Sequence, residues 1–168
     1  PVGTSAAWRT ARKGFEGLKD LRAVGGDTAR RRARALISDW IERHDRWHEH
    51  SWRPDVLGRR LYAWLGQHDF FCASADDEFR RRCFASIVRQ ARHLSRTLSH
   101  GAAGEGRIAS IKALAAAGLC VPGHQAWPQQ ALEALDDELA AQILPDGGHV
   151  SRNPAALMEV LRHLVDLR

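Results

Sequence analysis

"AAQILPDGGHVSRNPAALMEVLRHLVDL", residues 140–167, decides the fold of this chain. It opens at the end of an apolar helical run that includes Leu132, Leu135, Leu139 and Ile143. Asp146-Gly147-Gly148 then forms a normal helix exit, because glycine reaches the backbone angles that end a helix. Asn153 before Pro154 suits a helix start: its side chain can cap the first turn, and proline is preset for the first helical position. Leu157, Leu161 and Leu164 resume the helical spacing. The segment therefore reads as helix, turn, helix. The turn also presents His149, Ser151 and Arg152, and a helix start flanked by His and Arg is a ready anion site. The residues alone leave two readings open, a well-made turn and the edge of a binding site.

The same period runs outward through the whole sequence, and no strand pattern interrupts it. A first helix is expected over about residues 5–23, with Trp8, Ala11, Phe15, Leu18 and Leu21 on one face. "VGGD" breaks it, and Asp27 can cap a second helix over about 28–44 that carries Ala29, Ala33, Leu36, Ile37, Trp40 and Ile41. After the polar loop "HDRWHEHSWR", Pro54 opens a third, with Leu57, Leu61, Trp64, Leu65 and His68. "SADD" starts a fourth, with Phe79, Cys83, Ile87, Ala91, Leu94 and Leu98. A fifth, about 107–120, carries Ile108, Ile111, Leu114, Ala115 and Leu119. The segment above supplies the sixth and seventh. Short connections between amphipathic helices predict antiparallel pairs. The expected fold is all-α, one helical domain over residues 1–168, with no short consensus repeat.

The chain has 168 residues and a formal net charge of +5, and nearly all its basic residues are arginine; lysine stands only at Lys13, Lys19 and Lys112. Such a surface favours polyanions such as an acidic polysaccharide, a nucleic acid or an anionic membrane. No helix-turn-helix signature or concentrated base-reading helix accompanies the charge, which disfavours nucleic acid. No apolar run approaches the ~20 residues that span a bilayer. Cys72, Cys83 and Cys120 form neither a disulfide framework nor a zinc motif. A start at Pro1 and an end inside an apolar helical pattern read as a fragment of a longer protein.

Two further stretches carry candidate chemistry. "HDRWHEH" groups His44, His48 and His50 with Asp45 and Glu49, but the spacing is not that of a zinc helix, and a solvated loop is the expectation. No metal and no cofactor are expected. "HSWRPDVLGRRLYAWL" combines Trp52, Arg59, Arg60, Tyr62 and Trp64. Aromatic faces and guanidinium forks together suit the ring and carboxylate of an acidic sugar. Trp64 shares the apolar face and belongs in the core; Trp47 and Trp52 lie in the loop and are the better platforms. Arg59 and Arg60 cannot both face the core.

Three phrases, "GFEGLKDLRAVGGDTARRRARALISDWIERH", "WRPDVLGRRLYAWL" and the opening segment, occur in this order. Together they resemble the N-terminal helical domain of bacterial heparinase II/III-like proteins, over about residue 14 to the end. The resemblance implies antiparallel helix pairs forming part of an incomplete α/α toroid. It also implies a β-sandwich domain that this chain lacks and that would complete the cleft as a partner. It implies an acidic, uronate-containing polysaccharide as ligand, and polysaccharide lyase activity by β-elimination in a full-length protein. Export or a periplasmic location follows for members that act as lyases.

The chain departs from the lyases where it matters. The neutralising Asn that they carry in the region of "GEGRIASIKAL" is replaced by Arg107 and Ile108. The acid/base Tyr expected after the Asp-Gly segment is missing from Asn153-Pro154-Ala155-Ala156-Leu157. His149 and Tyr62 remain the only catalytic candidates, and Trp52, Arg59, Arg60, His149, Arg152 and Asn153 the binding candidates. The isolated fragment is expected to be inactive. The rival expectation is a non-catalytic carbohydrate-binding or scaffold member of the same fold.

Overall fold

The computed structural model describes residues 14–101 and 103–167. Trp8 and Ala11, assigned to the first expected helix, lie outside the described residues. The described residues form eight α-helices: α1 Leu18–Val24, α2 Gly26–His44, α3 Pro54–Gly66, α4 His68–Cys72, α5 Asp77–Thr97, α6 Glu105–Cys120, α7 Ala126–Gln142 and α8 Pro154–Leu167. A 3-10 turn, Leu98–His100, follows α5. Among these residues the only β pairing is an isolated bridge between Ile143 and His149. The fold class is all-α, as the periodicity implies.

Several boundaries differ from the expectation, each for a local reason. Phe15 adopts φ 59, which cannot continue a helix, so α1 starts at Leu18. Asp27 is not a cap: Gly25 and Gly26, both at positive φ, make the turn, and Asp27 pairs with Arg31 one turn on. His68 leaves α3 and opens the short α4, because the chain breaks at Gln67. Asp76 does cap α5, its carboxylate accepting from Phe79 N at 2.7 Å. Pro54 stands at the first position of α3.

α6 is the central helix, packed against α3, α5, α7 and α8. Its residues Ile108 to Leu114 are buried without interruption. A helix apolar on all sides belongs inside, and its periodicity selects no single face. Leu119, at its far end, is therefore exposed rather than part of the core. Leu36, Leu132 and Leu161 are likewise exposed, against the sequence pattern. α8 buries only Val160 fully, because it leans on α6 from one side.

Two close approaches set the helix spacing. A Cβ at Gly58 would lie 2.7 Å from Ser110 Cα, so α3 and α6 meet backbone to backbone. A Cβ at Gly118 would lie 2.3 Å from Pro128 Cδ, which seats α7 on α6. The core around them joins Ile37, Trp40, Leu57, Leu61, Trp64, Ile87, Leu94, Ile111 and Leu114. Trp64 sits in it as expected, edge-on to both Trp40 and Phe15 at 5.4 Å.

Candidate functional site

The structure separates the candidate residues into three places. The first is the interior. Arg60 is fully enclosed, 0% exposed, with its guanidinium 4.1 Å from the centroid of Trp40. Arg60 Nε donates to Gln90 Oε1 at 2.7 Å, and Nη1 donates to the Ser51 carbonyl at 2.9 Å. Burial pulls this guanidinium down to about 9, which still leaves it charged at neutral pH. Trp52 is only 4% exposed and donates its indole N–H to the His44 carbonyl at 2.8 Å. Arg60 presents no face to a polymer, and Trp52, which lines the groove beside α5 with little exposed surface, chiefly holds the loop between α2 and α3.

The second place is a cleft of about 680 Å³ between α3, α6 and α8. Arg59 and Tyr62 project into it from α3, with Glu105 and Lys112 from α6 and His163 and Asp166 from α8. Arg59 pairs with Glu105, and with Glu16 at 3.5 Å. His163 Nε2 lies 3.0 Å from Glu105 Oε1. The His163 contact, then the Arg59 charge, hold the Glu105 carboxyl below its ordinary range. Lys112 lies 2.7 Å from Asp166 and 3.9 Å from the Tyr62 ring centroid. Burial, then the Asp166 charge, push the Tyr62 phenol up, so it keeps its proton at neutral pH. Arg59, Lys112 and His163 thus already have carboxylate partners, which leaves the cleft little pull on an added anion.

The third place is the opening stretch. Leu144 N donates to Gly148 O at 2.8 Å and Val150 N to Gln142 O at 2.7 Å, closing a tight turn. Ser151 N donates to His149 Nδ1 at 3.1 Å, so the other ring nitrogen, 3.1 Å from Gln142 Oε1, carries the proton. Gln142 in turn donates to the buried Glu138 carboxylate at 2.6 Å, which also accepts from Gly104 N at 2.5 Å. Arg152 pairs with Asp146 at 2.5 Å. Asn153 Oδ1 accepts from Ala155 N at 2.9 Å, the bond of a helix cap. Each candidate side chain here therefore has a local partner, and none lines the cleft of Arg59 and Tyr62. Asn153→Ala is expected to lower stability by about 1 kcal/mol, the cost of a lost cap. Thermal unfolding with no shift in midpoint would contradict that assignment.

A fourth place joins the two loop tryptophans, Trp47 and Trp52, to residues of α5 that were not candidates. An open groove of about 1000 Å³ runs between the α2–α3 loop and the outer face of α5. Phe84, Val88, Arg92 and Arg96 recur every fourth residue along α5, opposite its core face of Phe79, Cys83, Ile87 and Leu94. The loop contributes Asp45, Arg46 and Trp47. Trp47 is 70% exposed, so of the two expected platform residues it is the one left open. Arg89 pairs with Asp45, whereas Arg46, Arg92 and Arg96 have no ion pair among the described residues. His93 stands edge-on to Trp52 at 5.0 Å; burial, and then the Arg96 charge, hold its imidazole below the usual range and so neutral.

A buried relay ties this groove to the interior. Arg60 bonds Gln90, Gln90 Nε2 donates to Ser86 Oγ at 3.1 Å, and Ser86 Oγ donates to Asp45 Oδ1 at 2.7 Å. The four-residue recurrence on α5 was legible in the sequence. It was missed because it covers the polar side of a helix whose apolar side had already explained the segment. The rings of His44, His48 and His50 stand 5.6 and 6.1 Å apart in succession. No group of three or more His, Cys, Asp or Glu among the described residues is arranged to hold a metal ion. No helix of the described residues is long and apolar enough to cross a membrane.

A family model described as heparinase II/III N-terminus matches residues 22–162. FtsZ-localized protein C of Caulobacter vibrioides (strain NA1000 / CB15N) is 37% identical over 155 residues. The match covers 91% of this chain and 26% of the relative, so the chain spans about a quarter of that protein's length. No solved structure matches the chain.

Proposed function

Because the chain belongs to the heparinase II/III N-terminal family, we propose that it is a carbohydrate-binding helical domain, part of an α/α toroid, that holds an acidic, uronate-containing polysaccharide. The observation that carries this reading is the groove: an exposed Trp47 beside Arg46, Arg92 and Arg96, none of which has a carboxylate partner among the described residues. A sugar ring stacks on an indole face, and a guanidinium fork meets a carboxylate or sulfate with two parallel hydrogen bonds. The cleft of Arg59 and Tyr62 offers weaker support, since its charges are already neutralised. Binding without cleavage is favoured by the missing Asn and Tyr, and by a Tyr62 whose proton is held tightly.

Titration with heparan sulfate, hyaluronan and alginate tests this. Trp47→Ala, and the pair Arg92→Ser with Arg96→Ser, are each expected to weaken binding about tenfold, equivalent to ~1.4 kcal/mol. Added salt should weaken binding by the unaltered chain more than by the arginine variant, because contacts in an open groove are screened. Equal affinity for neutral dextran, or unchanged affinity in both variants, would reject the groove as a polyanion site. The chain alone is expected to release no unsaturated uronate from any of the three polymers.

The Caulobacter relative favours a second reading. Its name places it with FtsZ, and a chain this similar over 91% of its length would then serve as a non-catalytic helical scaffold at sites of FtsZ assembly. A fluorescent fusion that co-localises with FtsZ, joined to absent polymer binding in vitro, would favour the scaffold over the carbohydrate domain.

A further inference from the structure

His68 and Cys72 stand one turn apart on α4, and Cys72 Sγ lies 3.4 Å from His68 Nε2. Cys83, one turn beyond Phe79 and Arg80 on the inner face of α5, belongs to the same core cluster as Cys72; Phe79 meets Phe71 edge-on at 6.1 Å and Arg80 bonds the Cys72 carbonyl. None of the three lines the groove beside α5 or the cleft of Arg59 and Tyr62. Cys83 is 0% exposed; Cys72 is buried too, at 7%, but it ends α4 beside the exposed Ala73 and Ser74. A small oxidant therefore meets Cys72 first.

We propose that Cys72 is a peroxide-reactive thiol, with His68 as the base that takes its proton and Cys83 as its resolving partner.

The surroundings favour the thiolate. Cys83, then His68, then the Arg80 charge hold the Cys72 thiol below its ordinary range, while Cys72 and burial push Cys83 up. Arg80 also donates twice, at 3.2 Å each, to the Cys72 carbonyl, which holds the end of α4 against α5. From α2, Arg34 donates to the neighbouring Phe71 carbonyl at 3.1 Å. Asp69, the nearest carboxylate on α4, is engaged by Arg22 at 2.8 Å. The acid and the cations around Cys72 are thus accounted for on each packed element.

The chemistry closes without a further reactant once peroxide is supplied. The Cys72 thiolate attacks one peroxide oxygen and the O–O bond breaks. Hydroxide leaves, takes the proton that His68 had accepted from the thiol, and becomes water; Cys72 is now a sulfenic acid. Cys83 Sγ attacks Cys72 Sγ, the S–O bond breaks, and the departing hydroxide takes the Cys83 proton as a second water. Two thiols are oxidised to one disulfide and one peroxide is reduced to two waters.

Arg80, Arg81 and Arg82 lie between the two cysteines, so trypsin separates their peptides and a disulfide shows as a linked pair. The test uses the chain with Cys120→Ser, treated with hydrogen peroxide. The expected product is the Cys72–Cys83 linked peptide. Cys83→Ser should instead stop at a sulfenic acid on Cys72 that dimedone traps. Cys72→Ser should leave Cys83 reduced. Alkylation of Cys72 in the Cys120→Ser chain, which keeps Cys83, should be faster below pH 7 than that of an ordinary thiol, and His68→Gln should slow it there by roughly tenfold, because it depends on the thiolate fraction. Three results would overturn the proposal: no linked peptide, oxidation of Cys83 in the absence of Cys72, or an alkylation profile that rises only near pH 8.5 as for an ordinary thiol.

Discussion

Replacing Arg60 with alanine is expected to lower the stability of the chain by ~3–5 kcal/mol, the range for emptying a large buried site and orphaning its partners. At 2–4 °C per kcal/mol, that is roughly a 10 °C fall in Tm. The guanidinium is fully enclosed, bonds Gln90 Oε1 and the Ser51 carbonyl, and lies over Trp40. Alanine would leave both acceptors inside without this donor and open a void between α3, α5 and the α2–α3 loop. Arg60→Met separates the two losses. It keeps most of the volume and forfeits only the hydrogen bonds, so a smaller fall of ~1–3 kcal/mol is expected. Arg60→Lys should resemble it, because a point charge cannot serve two acceptors as a fork does. Exposed ion pairs such as Arg43 with Asp39 provide the contrast, since removing one costs less than ~1 kcal/mol. Urea unfolding that put Arg60→Ala in that small class would mean that the side chain is solvated and the loop is held otherwise.

The same variant reaches the groove. Arg60 holds Ser51, and through Gln90 and Ser86 it reaches Asp45, so its loss should loosen the loop that carries Trp47. A polymer-binding defect beyond what Trp47→Ala causes is therefore not expected, but a defect of similar size is.

Helix existence was legible because each apolar stripe had to be buried against another helix. The all-α class, Pro54 and Asn153 at helix starts, and Trp64 in the core all follow from spacing and cap chemistry. What could not be read was which of two neighbouring arginines turns inward. Arg59 and Arg60 differ by 100° around α3, and the choice falls to partners distant in sequence: Gln90 and Ser51 for one, Glu105 and Glu16 for the other. The same limit hid the groove. Trp47 and Arg92 are separated by more than forty residues, and only the packing of α5 beside the α2–α3 loop makes them neighbours. Nor does the sequence show that Gln142 and Glu138 lie beneath His149, which ties a ring read as a candidate for an anion into the turn itself.

Gly58→Ala is expected to destabilise the chain by about 2 kcal/mol, and Gly58→Val by more, although alanine is the better helix former. The two effects oppose each other. Propensity alone would stabilise the helix by ~1 kcal/mol. Against it, the new Cβ would sit 2.7 Å from Ser110 Cα, 3.0 Å from Ser110 N and 3.1 Å from Ala109 O. All three are backbone atoms that cannot rotate aside, so α3 and α6 must separate, and overpacking of this kind costs ~1–3 kcal/mol or more. Separation also stretches the bond from Ser110 Oγ to the Pro54 carbonyl, 2.8 Å long. Gly66, at the end of the same helix, has nothing within 4 Å of its would-be Cβ. Gly66→Ala should therefore be neutral or slightly stabilising, and the pair isolates contact from propensity. The consequence extends to the cleft, because α3 carries Arg59 and Tyr62 while α6 carries their partners Glu105 and Lys112. Chemical unfolding that found Gly58→Ala as stable as Gly66→Ala would show that α3 and α6 do not meet at Ser110, and the frame that aligns the cleft would have to be redrawn.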